Sequence, residues 1–316
     1  MNVTEVSVVV VNWNTQDILR DCLKSIYEQG GEIDLEVIVI DNASTDGSVE
    51  MVKKDFPQVT LVENSQNRGF AAANNQGIDI SKGRYVLLLN SDTVVLDNAI
   101  AKTVAFADSH PEAAIVGCRV LNPDRTLQPT CFMFPSILNM LLSSTYLYKL
   151  FPKSKFFGRE QMTWWDRSDV REVDVVTGCF MLVRRKAIQQ VGTMDEQFFM
   201  YGEETDWCCR FRQAGWKVMF NPVCEIIHLG GQSSRQKRSK MILQLRGSIL
   251  LFMKKHNSSL KYALACLLVA LFFFLRVPYW LIRALFSRKN KSDDILTARA
   301  YLSGACKALL GAESLC

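Results

Sequence analysis

No GxGxxG follows the first apolar run, and no GxxxxGK with a Ser or Thr after it occurs anywhere in the 316 residues. These absences weigh against a dinucleotide oxidoreductase and against a phosphate loop of the nucleotide-hydrolase type. The ten cysteines include no CxxC pair. Scattered in this way, they read as reduced, cytosolic and partly buried. The N-terminus has no basic stretch, and Glu5 stands directly before the apolar Val6–Val11. That run is expected to be a strand, not an export signal. No internal repeat or low-complexity tract is evident. A chain without a glycine cradle must hold phosphate another way, and a metal bound by a carboxylate is the obvious route.

What is present is an apolar fraction of 48%, enough for a real core. The length suits one large α/β domain with an appendage. The net charge of +5 hides an asymmetry: residues 229–316 hold 15 Lys/Arg and 3 Asp/Glu, and residues 1–228 hold 22 and 29. An acidic globular part joined to a basic, apolar tail points to a partner with a negative surface. Because the basic residues flank an apolar stretch, a membrane leaflet fits better than nucleic acid.

Two short apolar runs end in carboxylates. Val37–Ile40 is followed by Asp41, and Tyr85–Leu89 runs into Asn90-Ser91-Asp92. Continuous apolar runs of this length read as strands buried on both faces. Side chains just past such strands gather on the carboxyl edge of a parallel sheet, where open α/β folds bind ligands. Thr15 is placed to cap a helix running to about Tyr27, and Gly30-Gly31 to break it. Asp46 or Ser48 starts the next helix, and strand Val59–Glu63 follows. Phe70–Ile80 reads as a small-residue helix, Asp97–Ser109 as another and Ala114–Cys118 as a strand. Alternation at this spacing predicts a parallel, doubly wound sheet.

Further on, Val173–Arg184 reads as a strand passing Thr177-Gly178, Glu204–Ala214 as a helix and Trp216–Phe220 as a strand. The helix opens with Glu203, Glu204 and Asp206. Acids there favour the positive end of the backbone dipole, so this trio has a purely structural explanation as well as a chemical one. An Asp after a strand, such as Asp92, likewise often serves only to begin a turn. Trp164-Trp165 suits sugar stacking or core packing. The aromatic, apolar residues 132–157 suit a cover for the sheet, part of an acceptor site, or contact with lipid.

Taken in order, Val8–Asn14 (VVVVNWN), Val37–Ser48 (VIVIDNASTDGS), Asn67–Asn75 (NRGFAAANN), Leu88–Asp92 (LLNSD), Thr177–Arg184 (TGCFMLVR) and Phe198–Arg210 (FFMYGEETDWCCR) resemble the family 2 glycosyltransferases. The closest likeness is to their rhamnosyltransferase-like branch. The resemblance implies a GT-A fold over residues 1–228, with 229–316 as a basic, apolar helical region that associates with the membrane. It implies that Asp41 contacts the donor's pyrimidine, with Asn12, Asn67, Gly69, Asn74, Asn90 and Ser91 near the donor. Asn90-Ser91-Asp92 matches the DXD element with Asn in first place, which leaves Asp92 as the main carboxylate for Mg²⁺ or Mn²⁺. His228 falls where some relatives place a metal-binding histidine, although a satisfied core histidine fits as well. Glu204 matches the second acid of the family's ED pair, the general base, where Asp is more common. Glu203 and Asp206 are the supporting acids.

The implied activity is inverting, metal-dependent transfer of a sugar from a nucleotide-sugar to a hydroxyl of a lipid-linked saccharide or cell-surface glycan. Rhamnose from dTDP-rhamnose is the donor this branch suggests. Two alternatives are polyprenyl-phosphate glycosyl transfer and a non-catalytic, membrane-bound scaffold. The acids at 92 and 204 speak against the latter.

Tyr262–Leu275 is uncharged throughout, Arg276 interrupts, and Val277–Ile282 continues with Pro278 inside. The first piece is too short for a bilayer core of about 30 Å; the whole is long enough only if Arg276 is tolerated. The flanks Arg235–Lys240, Lys254-Lys255 and Arg283–Lys291 are basic. Positive flanks favour the cytoplasmic side. The expected location is therefore the cytoplasmic face of the inner membrane, as a peripheral protein or with a single C-terminal anchor.

Overall fold

The computed structural model describes residues 4–29, 31–230, 238–286 and 291–315. Part of the expected helix break at Gly30-Gly31 and of the basic flanks lies outside these residues. The chain divides into two compact units. The first comprises Met1–Phe134, Gln161–Phe199 and Glu203–Ser233, and the second Pro135–Glu160, Met200–Gly202 and Ser234–Cys316.

The first unit begins with β1 (Val6–Asn12), α1 (Gln16–Gln29), β2 (Leu35–Asp41), α2 (Ser48–Asp55), β3 (Thr60–Glu63), α3 (Phe70–Ile80) and β4 (Tyr85–Asn90). It continues with β5 (Thr93–Val95), α4 (Ala99–Ser109) and β6 (Ala113–Leu121). Two helices of the second unit intervene, α5 (Ile137–Thr145) and α6 (Leu147–Leu150). The first unit then resumes with β7 (Arg171–Glu172), β8 (Phe180–Arg184), α7 (Arg185–Val191), α8 (Glu203–Gln213) and β9 (Lys217–His228). These strands form one sheet of order β3-β2-β1-β4-β8-β6-β9-β5, with β7 on β9.

The sheet is parallel from β3 to β4 and between β6 and β9. β8 runs antiparallel between β4 and β6, and β5 antiparallel on β9. Successive residues of β1, β2 and β4 alternate between two cores. Val8, Val10, Val37, Val39, Leu87 and Leu89 pack on one side. Val9, Ile38, Ile40, Val86 and Leu88 pack on the other. Helices cover both faces, and this is why these strands are apolar throughout and not alternately polar. α3 lies close to the sheet because its residues are small. A Cβ on Gly77 would stand 2.3 Å from Val9 Cγ1.

Two strands differ from the sequence expectation, and one open reading is decided. Val173–Arg184 is not one strand: Arg171–Glu172 pairs with β9, Val175 bridges to Phe132, and β8 starts only at Phe180. Thr177-Gly178 lies in the break. β9 is more than twice as long as Trp216–Phe220, because its register on β6 jumps from Cys118↔Asn221 to Arg119↔Glu225. Pro222, which has no N–H to give the ladder, falls in the looped-out residues. Pairing then resumes and carries the strand on to His228, opposite Thr93. Trp165 is core: it is buried edge-on against Phe220 at 4.9 Å, and its indole N–H donates to Asp169.

The second unit adds α9 (Arg238–His256), α10 (Ser259–Phe274), α11 (Val277–Phe286) and α12 (Lys291–Leu310) to α5 and α6. α12 packs closely; a Cβ on Gly304 would meet Leu243 at 2.7 Å and Phe273 at 3.1 Å. Arg283 and the buried Asp294 tie α11 to α12 at 3.0 Å. The expected apolar stretch is two helices joined at Leu275-Arg276. Ser259–Phe286, 28 residues, is long and apolar enough to cross a membrane by length and composition.

Candidate active site

The parallel register sets Asn12 beside Asp41 at the carboxyl ends of β1 and β2. Both are buried. Asn12 Nδ2 donates to Asp41 Oδ2 at 2.9 Å and to Ser44 Oγ at 3.1 Å, while the Ser44 N–H donates to Asp41 Oδ1 at 2.8 Å. Thr15 was expected to cap α1 through its hydroxyl. Instead that hydroxyl donates to Asn12 Oδ1 at 2.7 Å and lies 3.2 Å from Ser91 Oγ. The cap comes from the neighbouring loop, where Asp46 Oδ2 accepts the Gln16 N–H at 2.8 Å. Burial pushes the Asp46 carboxyl up, but hydrogen bonds from Ser48 and Gln16 outweigh it and hold the group below the ordinary range. One polar network therefore joins Asp41, Asn12, Thr15 and Ser91.

A second network organises the following loop around Asn42. Its amide donates to Asn67 Oδ1 at 3.0 Å and to the Gly69 carbonyl at 3.2 Å. Its oxygen accepts from the Arg68 N–H at 3.0 Å and from Asn64 Nδ2 at 3.2 Å. Gly69 has φ +85°, and a Cβ there would stand 2.5 Å from the Phe199 carbonyl. The next residue, Phe70, donates its N–H to that same carbonyl at 2.8 Å. The glycine thus lets the loop close against Phe199, in the segment that leads into α8. Asn74 is buried but turns inward, donating to the Phe70 carbonyl of its own helix at 2.9 Å.

The third group gathers where β4, β5 and β9 meet. His228 Nε2 is 3.2 Å from Asp92 Oδ1 and 3.3 Å from Asn90 Nδ2. The Leu229 N–H donates to the Asp92 carbonyl at 2.9 Å, which fixes the two chain segments together. On its other side the ring meets Gln128, with Nδ1 2.6 Å from Oε1. Asn90 Oδ1 is enclosed without a hydrogen-bond partner. A carboxylate oxygen and an imidazole nitrogen held 3.2 Å apart, with an unsatisfied amide oxygen on the adjoining Asn90, fit a divalent cation such as Mn²⁺. Among the described residues no group of three or more His, Cys, Asp or Glu is arranged to hold an ion. Such a cation would therefore keep positions for ligands from outside the protein.

The three acids that open α8 separate by environment. Asp206 is fully buried and pairs with Arg210 at 2.8 Å, whose other nitrogens donate to the Val191 and Thr193 carbonyls. It holds the preceding turn in place. Glu203 is 4% exposed, and one of its oxygens has no partner. Burial, and then the adjacent Glu204 carboxylate, push the Glu203 carboxyl well above the ordinary range. Glu204 is only half-buried.

Sequence reasoning did not single out Asn42, Ser44, Thr15 or Gln128 as site residues. The first two lie inside the loop NASTDGS, so their types were visible but not their partners. Gln128 is 100 residues from His228 and carried no signal at all.

A sheet of this order with its carboxylates on one edge is the framework of a GT-A glycosyltransferase, and solved structures agree on the fold. A mannosyltransferase from Pyrobaculum calidifontis, in complex with GDP-Man and Mn²⁺, superposes with a TM-score of 0.60 at 16% identity, covering 97% of this chain and 87% of that one. GalNAc-T7 with UDP, GalNAc and Mn²⁺ gives 0.57 at 17% identity, covering 80% and 48%. The chain belongs to glycosyl transferase family 2, whose family profile matches residues 7–192. It is similar to the N-acetylglucosaminyl-diphospho-decaprenol L-rhamnosyltransferase of Mycobacterium tuberculosis, 26% identical over 262 residues, or 79% of this chain and 84% of that protein.

Proposed function

We propose that this glycosyltransferase moves a sugar from a nucleotide-sugar to a hydroxyl of a lipid-linked saccharide, with inversion at the anomeric carbon and with help from a divalent cation. The observation that carries the reading is the continuity of the sheet edge. The Asp41 network reaches Ser91 through Thr15, and the next residue is Asp92, in contact with His228. A nucleotide and its diphosphate need adjoining sites of these two kinds. Rhamnose, with dTDP-rhamnose as donor, is the sugar we favour, on the likeness to the mycobacterial enzyme.

In this mechanism Asp41 accepts a hydrogen bond from the base, and the loop held by Asn42 and Gly69 shapes the donor pocket. Asp92 and His228 would hold the cation; when bound, it would offset the diphosphate charge. Glu204 takes the proton of the acceptor hydroxyl as its oxygen bonds to the anomeric carbon. The bond to the nucleotide breaks on the opposite face. Of the three acids, Glu204 suits this role because Asp206 is spent on Arg210 and Glu203 is buried and disposed to keep its proton.

The apolar helices α10 and α11 and the basic balance of the tail support work at the cytoplasmic face of a membrane, where a lipid-linked acceptor resides.

Two measurements test the reading. A thermal-shift panel of nucleotide-sugars with and without Mn²⁺ should show one donor stabilising the protein selectively, and more so with the ion. Glu204→Gln should lose about 10²–10⁴-fold in turnover while still binding the donor. A phosphate acceptor needs no base, so full turnover in that variant would discard the assignment and favour polyprenyl-phosphate transfer.

A further inference from the structure

We infer that Gln128 is a positioning residue for the cation site: it fixes His228 in the tautomer that carries its proton on Nδ1 and presents the Nε2 lone pair to Asp92. The inference rests on the cation reading above, but its first half concerns only the ring and its neighbour.

The orientation of the Gln128 amide is determined by its own partners. Asn122 donates through Nδ2 to Thr126 Oγ1 at 3.0 Å and to the Leu127 carbonyl at 3.4 Å. Its Oδ1 is therefore the acceptor that faces Gln128, and Gln128 Nε2 donates to it at 2.9 Å. The same Nε2 also lies 3.2 Å from the His228 carbonyl. With both nitrogen contacts on acceptors, the atom that meets the imidazole is the oxygen Oε1, at 2.6 Å from Nδ1. An oxygen without a proton can only accept, so Nδ1 must donate. The backbone holds the side chain as well, since the Gln128 N–H donates to the Val120 carbonyl at 2.9 Å.

A ring whose single proton is on Nδ1 has its lone pair on Nε2. That nitrogen faces Asp92 Oδ1 at 3.2 Å, with Asn90 Nδ2 slightly more distant at 3.3 Å. Two acceptors held this close repel unless a proton or a cation stands between them. The Asn122–Gln128 pair therefore keeps ready an arrangement that a cation completes. Metal-binding histidines commonly need such an acceptor on the second nitrogen. A merely structural glutamine would staple the 122–128 turn through Nε2, and the Oε1–Nδ1 contact would be incidental.

The test uses the full chain in detergent and two readouts. The chain has three histidines, His110, His228 and His256, so a ¹H–¹⁵N imidazole spectrum is simple, and His228→Ala identifies the relevant signals. The wild-type ring should carry its proton on Nδ1 and none on Nε2. Gln128→Leu should mix or reverse the tautomers and weaken Mn²⁺ binding, followed by the EPR signal of the free ion, by about 10–100-fold. Gln128→Glu loses the Nε2 staple but keeps an acceptor for Nδ1, so it should retain the tautomer. The inference is overturned if the wild-type proton sits on Nε2, if Gln128→Leu changes neither readout, or if Gln128→Glu mixes or reverses the tautomers as Gln128→Leu does. A wild-type protein with the expected tautomer but no Mn²⁺ binding would uphold the role of Gln128 toward the ring and remove the cation reading instead.

Discussion

Glu203, Glu204 and Asp206 are three carboxylates within four residues, and only their surroundings give them different work. Glu203 takes its proton more readily in the folded chain than in the unfolded one, because burial and then Glu204 disfavour its charge. Below the ordinary carboxylate range both states hold the proton and the residue costs nothing. As the pH rises through that range, the unfolded chain ionises first and gains, so folding stability falls until the folded carboxyl ionises too. Each tenfold difference in proton affinity is worth about 1.4 kcal/mol. Glu203→Gln should therefore raise the melting temperature at about pH 7–8 and lose that advantage near about pH 4, where Glu is normally half-protonated. Melting curves of both proteins across this range check it; an advantage that is absent at neutral pH, or constant throughout, contradicts the burial argument. The sequence displayed all three acids, and the segment match pointed to Glu204. It did not reveal that the Val191 and Thr193 carbonyls fix Arg210 against Asp206, or that Glu203 lies out of water, since both depend on what α8 packs against. Asp92 is the simpler case. Asp92→Asn removes the charge that faces His228, and any Mn²⁺-dependent stabilisation seen in the wild type should largely disappear from its melting curves.

Among the elements, those with their own internal pattern were readable and those defined by partners were not. β1, β2 and β4 are continuous apolar runs because helices cover both faces, and their limits in the sequence and the structure nearly coincide. β9 could not be read to its end. Nothing local predicts that pairing resumes beyond Pro222, and it does so because β6 and β5 offer edges on which Ile226–His228 can form ladders. That continuation brings His228 to Asp92, so the least legible strand places one side of the proposed cation site. α3 is legible in type, a run of small residues, but the reason for the smallness is tertiary. Gly77→Ala would put a methyl 2.3 Å from Val9 Cγ1 and force the helix away from β1. The expected loss is about 1–3 kcal/mol, the usual cost of overpacking a tight contact. If this contact is the cause, trimming the partner should recover part of the loss. Chemical denaturation of G77A, V9A and the double variant should then show a double variant more stable than the sum of the single losses predicts. Simple additivity would show that the contact is not responsible.

For the whole molecule, the question is what balances the tail. Read from sequence, Arg276 within the apolar run left a single span and an interfacial helix both open. In the helical unit its charge is not left bare. Nη1 donates to the Phe272 carbonyl and Nη2 to the Ser144 carbonyl, each at 2.9 Å, and the guanidinium carbon lies 3.7 Å from the Phe272 ring centroid. The partner Ser144 belongs to α5, about 130 residues earlier in the chain, so the sequence could not show this. Meanwhile Leu264, Leu267, Leu271, Phe274, Leu281 and Ile282 remain exposed on α10 and α11. On the proposed membrane location, two forces would draw the tail to a bilayer, and salt separates them. Basic residues near an anionic surface contribute about 1 kcal/mol each, and salt screens this within about 3 Å at 1 M. Burying an exposed Leu, Ile or Phe contributes about 1.5–3 kcal/mol, and salt does not weaken it. Six such residues outweigh the screened charges, so the protein should stay with the membrane fraction through a wash in about 1 M NaCl and be released by mild detergent. Release by salt alone would mean that the apolar faces do not enter the lipid. A soluble, monodisperse protein without detergent would mean that they are covered in some other way, and the membrane assignment would fall with them.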